Sequence, residues 1–213
     1  MKPTFAAAAA LAFAFFAQPV SAEPGPFSVT GLAGWTEQTF GGKNATRYRL
    51  ARDADVQVLE ADCRASASGW IWKEKIDLNR TPVLRWRWKV AQVYSGLQER
   101  EKTGDDFPAR VYVVLDGGWA PWRTRSLIYV WASANAPGAD WPSAYTPRAH
   151  VVALRSGAAG AGRWEEERRD VRADFKRYFG LDLAAVDGVA VMTDCDDAGG
   201  AAGAWYGDLR FER

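Results

Sequence analysis

Along residues 84–90, Leu-Arg-Trp-Arg-Trp-Lys-Val, apolar and cationic side chains alternate without a break. A period of two is that of a β-strand with one buried and one solvated face. Leu84, Trp86, Trp88 and Val90 are therefore assigned to a core, and Arg85, Arg87 and Lys89 to the surface. Further strands are predicted over residues 46–51, 56–61, 69–76, 149–154, 188–194 and 204–211. Residues 110–115 and 126–132 are apolar on both faces, the pattern of central strands. Residues 164–171 are charged at most positions and read as an edge strand. On the last segment Trp205, Leu209 and Phe211 share a face, opposite Tyr206, Asp208 and Arg210, and Trp205 is assigned to the core with Trp86 and Trp88.

One helix stands out. Val171, Phe175, Tyr178 and Phe179 fall on a single helical face, with Asp170 placed to cap its start and Gly180 to end it. Long connections run over residues 94–109 and 133–148, and the Gly/Ala-rich stretch 156–162 reads as a turn. About ten short strands with one or two short helices predict a mostly β chain, a single-domain two-sheet β-sandwich of jelly-roll-like form. Helices do not alternate with strands, which excludes a doubly wound dinucleotide-binding fold.

The ends and the composition sharpen this picture. Lys2 precedes an apolar run at residues 6–17, and Val20-Ser21-Ala22 offers a small-residue cleavage site. Residues 1–22 are expected to be a secretory signal peptide and residues 23–213 the β-sandwich domain. The apolar run is too short to anchor in a bilayer, and no later stretch is long enough to cross one. The expected localisation is periplasmic or secreted. With 27 basic and 26 acidic residues, the chain lacks the basic excess of a nucleic-acid-binding protein. An oxidising compartment permits a disulfide between Cys63 and Cys195; two unpaired buried thiols are the alternative. Without a C-x-x-C motif, thiol–disulfide exchange is not indicated.

Candidate chemistry is spread along the loops. The one histidine, His150, lies in a predicted strand with no nucleophile motif beside it, so a Ser-His-Asp arrangement is disfavoured and a His-rich zinc site is excluded. Asp194, Asp196 and Asp197 crowd the end of a strand in an oxygen-rich loop that suits calcium. The alternative is a solvated loop whose Asp side chains cap turns. An EF-hand is ruled out, because Ala198 and Trp205 occupy two of its ligand positions. Asp105, Asp106 and Arg110 precede a central strand. They form either an acid, base and charge partner or a tie that holds a long loop through Arg–carboxylate bonds. Trp119, Trp122 and Tyr145 fall in or beside loops, where aromatic rings stack on sugars while a few polar groups hold the hydroxyls; for Trp119 and Trp122, packing against the sandwich core and its rims is the equal alternative. Asp105, Asp106 and Arg110 are the candidate polar partners of those rings. The strip Arg85, Arg87, Lys89 either receives an anionic glycan or, as is commoner, pairs with acids such as those at 165–167.

Several of these segments together resemble a known family. They are Ser66-Ala67-Ser68-Gly69, residues 84–90, residues 103–114 from Thr103-Gly104-Asp105-Asp106 to Val113-Val114, Tyr129-Val130-Trp131-Ala132, Met192-Thr193-Asp194 and Trp205-Tyr206-Gly207-Asp208. They resemble a bacterial family of exported proteins carried as a domain of unknown function. The resemblance implies a secreted or periplasmic setting and a β-rich domain, and brings no catalytic residue or cofactor. Cys195 departs from the family pattern, where a small hydroxyl residue is expected, and this favours a Cys63–Cys195 bridge. The ending from Asp208 to Phe211 is loosely similar to the last strand of galactose-binding-like jelly rolls, an analogy of fold only. The expected function is binding of a glycan or another envelope ligand, with calcium as the one candidate cofactor and no catalytic residue assigned. A carboxylate-dependent polysaccharide hydrolase or lyase is the second expectation, and a structural or assembly factor of the envelope that docks a protein partner is the third.

Overall fold

Two β-sheets pack face to face because the alternating strands of each expose one apolar face. The computed structural model describes residues 23–198 and 200–213, so the expected signal peptide lies outside the described residues. In chain order the elements are α1 (Phe27–Thr30), β1 (Trp35–Thr39), β2 (Arg47–Asp53), β3 (Val56–Arg64), β4 (Ala67–Trp72), β5 (Ile76–Asp77), β6 (Val83–Val90), β7 (Ala109–Leu115), β8 (Arg125–Ala132), β9 (Asp140–Pro142), β10 (Ala149–Ser156), β11 (Glu165–Asp170), α2 (Val171–Phe179), β12 (Ala185–Val186), β13 (Gly188–Asp194), β14 (Ala201–Tyr206) and β15 (Arg210–Glu212). The first sheet has the order β1-β4-β13-β7-β8-β10-β9 and the second β11-β6-β14-β3-β2, with β15 also against β6. β10 runs parallel to β8. The short strands β5 and β12 pair with each other.

The core between the sheets is aromatic. Trp86 and Trp88 of β6 are buried and meet edge to face at 5.4 Å. Trp86 stacks on Tyr129 of β8 at 5.5 Å, and Trp88 meets Trp131 at 6.1 Å. These contacts cross from the second sheet to the first, so the alternation of residues 84–90 sets the inter-sheet packing. Rings of this size bury about 150–250 Å² each, more than any aliphatic side chain. On the outer face Arg85 pairs with Glu166 at 2.9 Å, Lys89 pairs with Asp53, and Arg87 lies 4.4 Å over the Trp164 ring. The cationic strip is thus a paired surface, and β11 sits at the sheet edge as its charge pattern predicts.

The expected continuous strand over 204–211 is corrected by the structure. β14 stops at Tyr206 and β15 begins at Arg210, and both pair with β6. The chain leaves the sheet at 207–209, so the alternation does not carry across. Tyr206 is a core residue, whereas Trp205 faces outward and is only half-buried. α2 is capped as expected: Ala173 N donates to Asp170 Oδ1 at 2.8 Å, and Gly180 takes a left-handed conformation at φ 70°. Its buried Asp174 accepts from Tyr129 Oη at 2.7 Å and from Arg169.

Cys63 and Cys195 form a disulfide, their Cα atoms 6.2 Å apart, inside the usual bridging range. It ties β3 of the second sheet to the residue that follows β13 of the first. Among the described residues no helix is long and apolar enough to cross a membrane. With a sequence separation of 132 residues, the bridge contributes on the order of 5 kcal/mol in the chain-entropy model. The double variant Cys63→Ala/Cys195→Ala is expected to lose most of that in guanidinium unfolding, and reductant is expected to act on wild type but not on the variant.

Candidate functional site

Two loops meet where β7 begins and β13 ends, because β7 and β13 are antiparallel neighbours in the first sheet. Arg110 is the second residue of β7 and is buried between them. Its Nε donates to Asp194 Oδ1 at 3.0 Å, and its Nη2 to Asp194 Oδ2 and to the Asp105 carbonyl oxygen. Its Nη1 reaches Asp105 Oδ2 at 3.3 Å. Phe107 N also donates to Asp194 Oδ1, at 3.0 Å. Asp106 turns the other way, and its Oδ2 caps Ala198 N in the acidic turn. The Asp105–Arg110 segment therefore ties down its loop, and the Asp106 carboxylate caps the turn that carries Asp196 and Asp197.

The result is a pocket of about 290 Å³ lined by Phe40, Lys43, Asp105, Arg110, Tyr112, Tyr145, Met192, Asp194, Asp196 and Asp197, among others. Asp106 lies against it: oxygens of Asp106, Asp194 and Asp196 fall within 4.8 Å of one another. Lys43 Nζ pairs with Asp196 and lies 3.8 Å from Asp197. Tyr145 is 58% exposed, and its hydroxyl donates to the Lys102 carbonyl at 3.2 Å. Phe40 is also exposed at the rim.

Burial sets the electrostatics. Five carboxylates (Asp105, Asp106, Asp194, Asp196 and Asp197) face the two cations Arg110 and Lys43. Burial pushes the Asp106 carboxyl up to about 6, with Asp196 adding to the rise and the Ala198 N–H opposing it. Burial also pushes Asp194 up to about 7 against the pull of Arg110, and raises Asp105. The guanidinium of Arg110 stays cationic, because the carboxylates around it outweigh its own desolvation. Among the described residues, Asp106 Oδ1 and Asp105 Oδ1 are buried without a hydrogen-bond partner, a costly state for a carboxylate unless a further donor or cation reaches it.

The structure thus brings Asp105, Asp106, Arg110 and Tyr145 together with Asp194, Asp196 and Asp197, residues that the sequence offers as two separate sets. It does not bring Trp119 and Trp122 to them. Those two rings lie beyond the far end of β7, a strand of seven residues, or roughly 20 Å away at about 3.3 Å per residue. They meet edge to face at 6.0 Å and are largely exposed. The grouping of Trp119 and Trp122 with Asp105, Asp106 and Arg110 is corrected accordingly: the loops leave opposite ends of one strand. The candidate calcium set changes too, since Asp106 replaces Asp197 in the closest cluster.

His150 stacks on Tyr178 at 4.2 Å and bonds Asp140 Oδ1 at 2.7 Å. Lys43, Phe40 and Tyr112 had no distinguishing sequence signal, nor had Glu99. The buried Glu99 carboxylate accepts from the backbone N–H groups of Ser133, Ala134 and Asn135, fastening the 94–109 connection to the 133–148 connection.

The chain belongs to the family described as Protein of unknown function (DUF3047), whose model matches residues 33–210. No curated protein matches it significantly in sequence. Among solved structures, the enzymatically active domain of Bacteriophage CBA120 tailspike protein 4 is similar at 8% identity and a TM-score of 0.47, over 88% of this chain and 20% of that one. A thermo-stable cellulase derived from that of Rhodothermus marinus is similar at 10% identity and a TM-score of 0.49, over 90% of this chain and 95% of that one. Endoglucanase 3 of Trichoderma harzianum is similar at 9% identity and a TM-score of 0.45, over 92% and 99%. The chain spans about a fifth of the tailspike domain.

The raised Asp106 carboxyl carries a pH signature. A folded-state pKa of about 6 against an ordinary 3.8 stabilises the fold fully below the lower value, and that contribution is lost as pH rises through the higher one. The loss is about 2–3 kcal/mol, at roughly 1.4 kcal/mol per pH unit. Asp106→Asn is expected to unfold at a higher temperature than wild type at pH 7 and to lose that advantage at pH 4. Thermal melts at both pH values decide the matter, and an advantage of equal size at each would refute it.

Proposed function

We propose that this chain is a glycan-binding module of an exported, oxidising compartment, and that its ligand seats in the acidic pocket. The observation that carries the reading is the convergence of fixed carboxylates and exposed aromatic rings on one pocket of about 290 Å³. Asp196 and Asp197 offer acceptors for sugar hydroxyls, and Tyr145 and Phe40 offer faces for the apolar side of a pyranose ring. A few polar groups set on an apolar wall are the usual make-up of a small-ligand site. The excess of carboxylates favours neutral or amino-bearing sugars over acidic ones. Periplasmic or secreted placement rests on the signal-like residues 1–22 and on the disulfide.

Calcium enters this reading as a structural ion on Asp106 and Asp196, with Asp194 behind them. Asp106 Oδ1, which has no hydrogen-bond partner among the described residues, favours it. Both oxygens of Asp194 are already held by Arg110, so the ion would replace Lys43 at Asp196 rather than sit among free carboxylates.

The hydrolase reading has one observation of its own. Asp106, pushed up to about 6, lies close to Asp194 and Asp196, and an acid beside an ionised carboxylate is the pairing used in glycoside hydrolysis. Against it, Asp106 is fully buried and Asp194 is consumed by Arg110, so neither is placed to touch a substrate.

The test is calorimetric titration of the protein with neutral and amino-sugar oligosaccharides, with reducing sugar followed in parallel. Binding without sugar release is expected, weakened at least tenfold, about 1.4 kcal/mol, by Tyr145→Ala and by Asp196→Asn. Sugar release abolished by Asp106→Asn would replace binding with hydrolysis. For calcium, millimolar Ca²⁺ is expected to raise the melting temperature of wild type and not of Asp196→Asn; an unchanged wild type removes the ion from the reading.

A further inference from the structure

The outward face of the second sheet carries an aromatic ring that the core does not need. Trp205 projects from β14 between two buried neighbours, Ala204 and Tyr206, and is itself half-buried. Lys89 of β6, on one side of β14, holds its ammonium 4.6 Å from the Trp205 ring centroid. On the other side, over β2 and β3, a hollow of about 360 Å³ opens against the same residue. Gly203 keeps that hollow open. It stands two residues earlier on the same face, and a Cβ there would lie 3.3 Å from Ala91 Cβ and in ordinary contact, 3.7 Å, with Trp205 Cη2. The backbone of Gly203 lies outside the region that only glycine favours. What matters at this position is the missing side chain.

The rim of the hollow has a charge to match a ligand. Arg49 pairs with Glu60 at 2.7 Å and Arg64 with Asp62 at 3.4 Å. Arg47 stands across from Asp62 in the strand register, yet its guanidinium has no hydrogen bond or ion pair among the described residues. Three guanidiniums against two carboxylates leave a net positive rim beside an open indole. A free guanidinium is a planar two-pronged donor that fits a carboxylate.

We propose that Trp205, Gly203 and Arg47 form a second binding site, separate from the acidic pocket, for an acidic polysaccharide. A uronic acid ring lies over the indole in the space left by Gly203, and its carboxylate pairs with Arg47. The cation–π contact of Lys89 accounts for one side of the ring but not for the open hollow on the other. The two sites divide ligands by charge: the acidic pocket repels a polyuronate, and this face attracts it.

The test is affinity electrophoresis of the protein in gels containing polygalacturonate, with neutral dextran gels as control. Retardation by polygalacturonate alone is expected, falling with added salt. Trp205→Ala and Arg47→Ala are each expected to weaken it at least tenfold. Gly203→Val keeps both binding residues and fills the hollow, and it is expected to weaken retardation as much while staying folded by circular dichroism, with a melting temperature lowered by the tight contact with Ala91 Cβ. Absence of retardation in wild type, equal retardation by dextran, or retention of binding in Trp205→Ala and Gly203→Val would each overturn the proposal. Since the acidic pocket is tested with neutral and amino sugars, either site can fail without the other.

Discussion

The sandwich depends on a layer of four large rings between its sheets. Trp86 and Trp88 reach across from β6 to Tyr129 and Trp131 on β8. Two sheets pack about 10 Å apart only if the space between them is filled, and these rings fill its centre. The outer side of the same β6 strand carries cations, which prevents the strand from turning over: a slip by one residue would bury Arg85, Arg87 and Lys89. One seven-residue pattern therefore sets both the spacing of the sheets and the register of the central strand. The ends of β7 and β13, and with them the pocket, take their positions from that frame.

Within the pocket, Arg110 plays the corresponding part. A buried guanidinium is tolerated only when its donors find acceptors, and here two carboxylates and a carbonyl oxygen supply them. Such a group adds little net stability over an apolar replacement, but removing one partner leaves the other charge stranded. Arg110 therefore serves geometry more than stability. It fixes Asp105 and Asp194 and, through Phe107, the path of the chain to Asp106. Asp106 is left with one oxygen satisfied and one not, and its raised proton affinity follows from that incomplete solvation.

Much of the architecture was legible because period-two alternation is a local signal. The alternation of residues 84–90 announced a strand with one buried face, the two-sided apolar runs 110–115 and 126–132 announced two central strands, and the face Val171, Phe175, Tyr178, Phe179 announced α2. Where the chain leaves the sheet at 207–209, the periodicity holds in the letters but not in space, and Trp205 and Tyr206 exchange sides. β1 was missed because Trp35–Thr39 is mostly polar, and β9 because Asp140–Pro142 is only three residues long and ends in proline. The site was half legible. Asp105, Asp106 and Arg110, and separately Asp194, Asp196 and Asp197, stood out as charge clusters, but their meeting is a product of strand pairing that no spacing encodes. The loop aromatics misled for the same reason: Trp119 and Asp105 are near in sequence and lie at opposite ends of β7. Lys43 and Glu99 were invisible, since a lone charged residue in a polar loop has no pattern until its partner is known.

The bridge between β3 and the acidic turn also bears on how such a sequence can change over generations. Cys63 and Cys195 are both fully buried. Either one alone would be a sequestered thiol with no sulfur to meet, in a spot shaped for two. Single replacements pass through a less favourable intermediate, so the two positions are expected to change together although 132 residues separate them. Among relatives, a small hydroxyl residue after β13 should travel with the loss of the cysteine on β3, and the pair should be gained or lost as one inherited character.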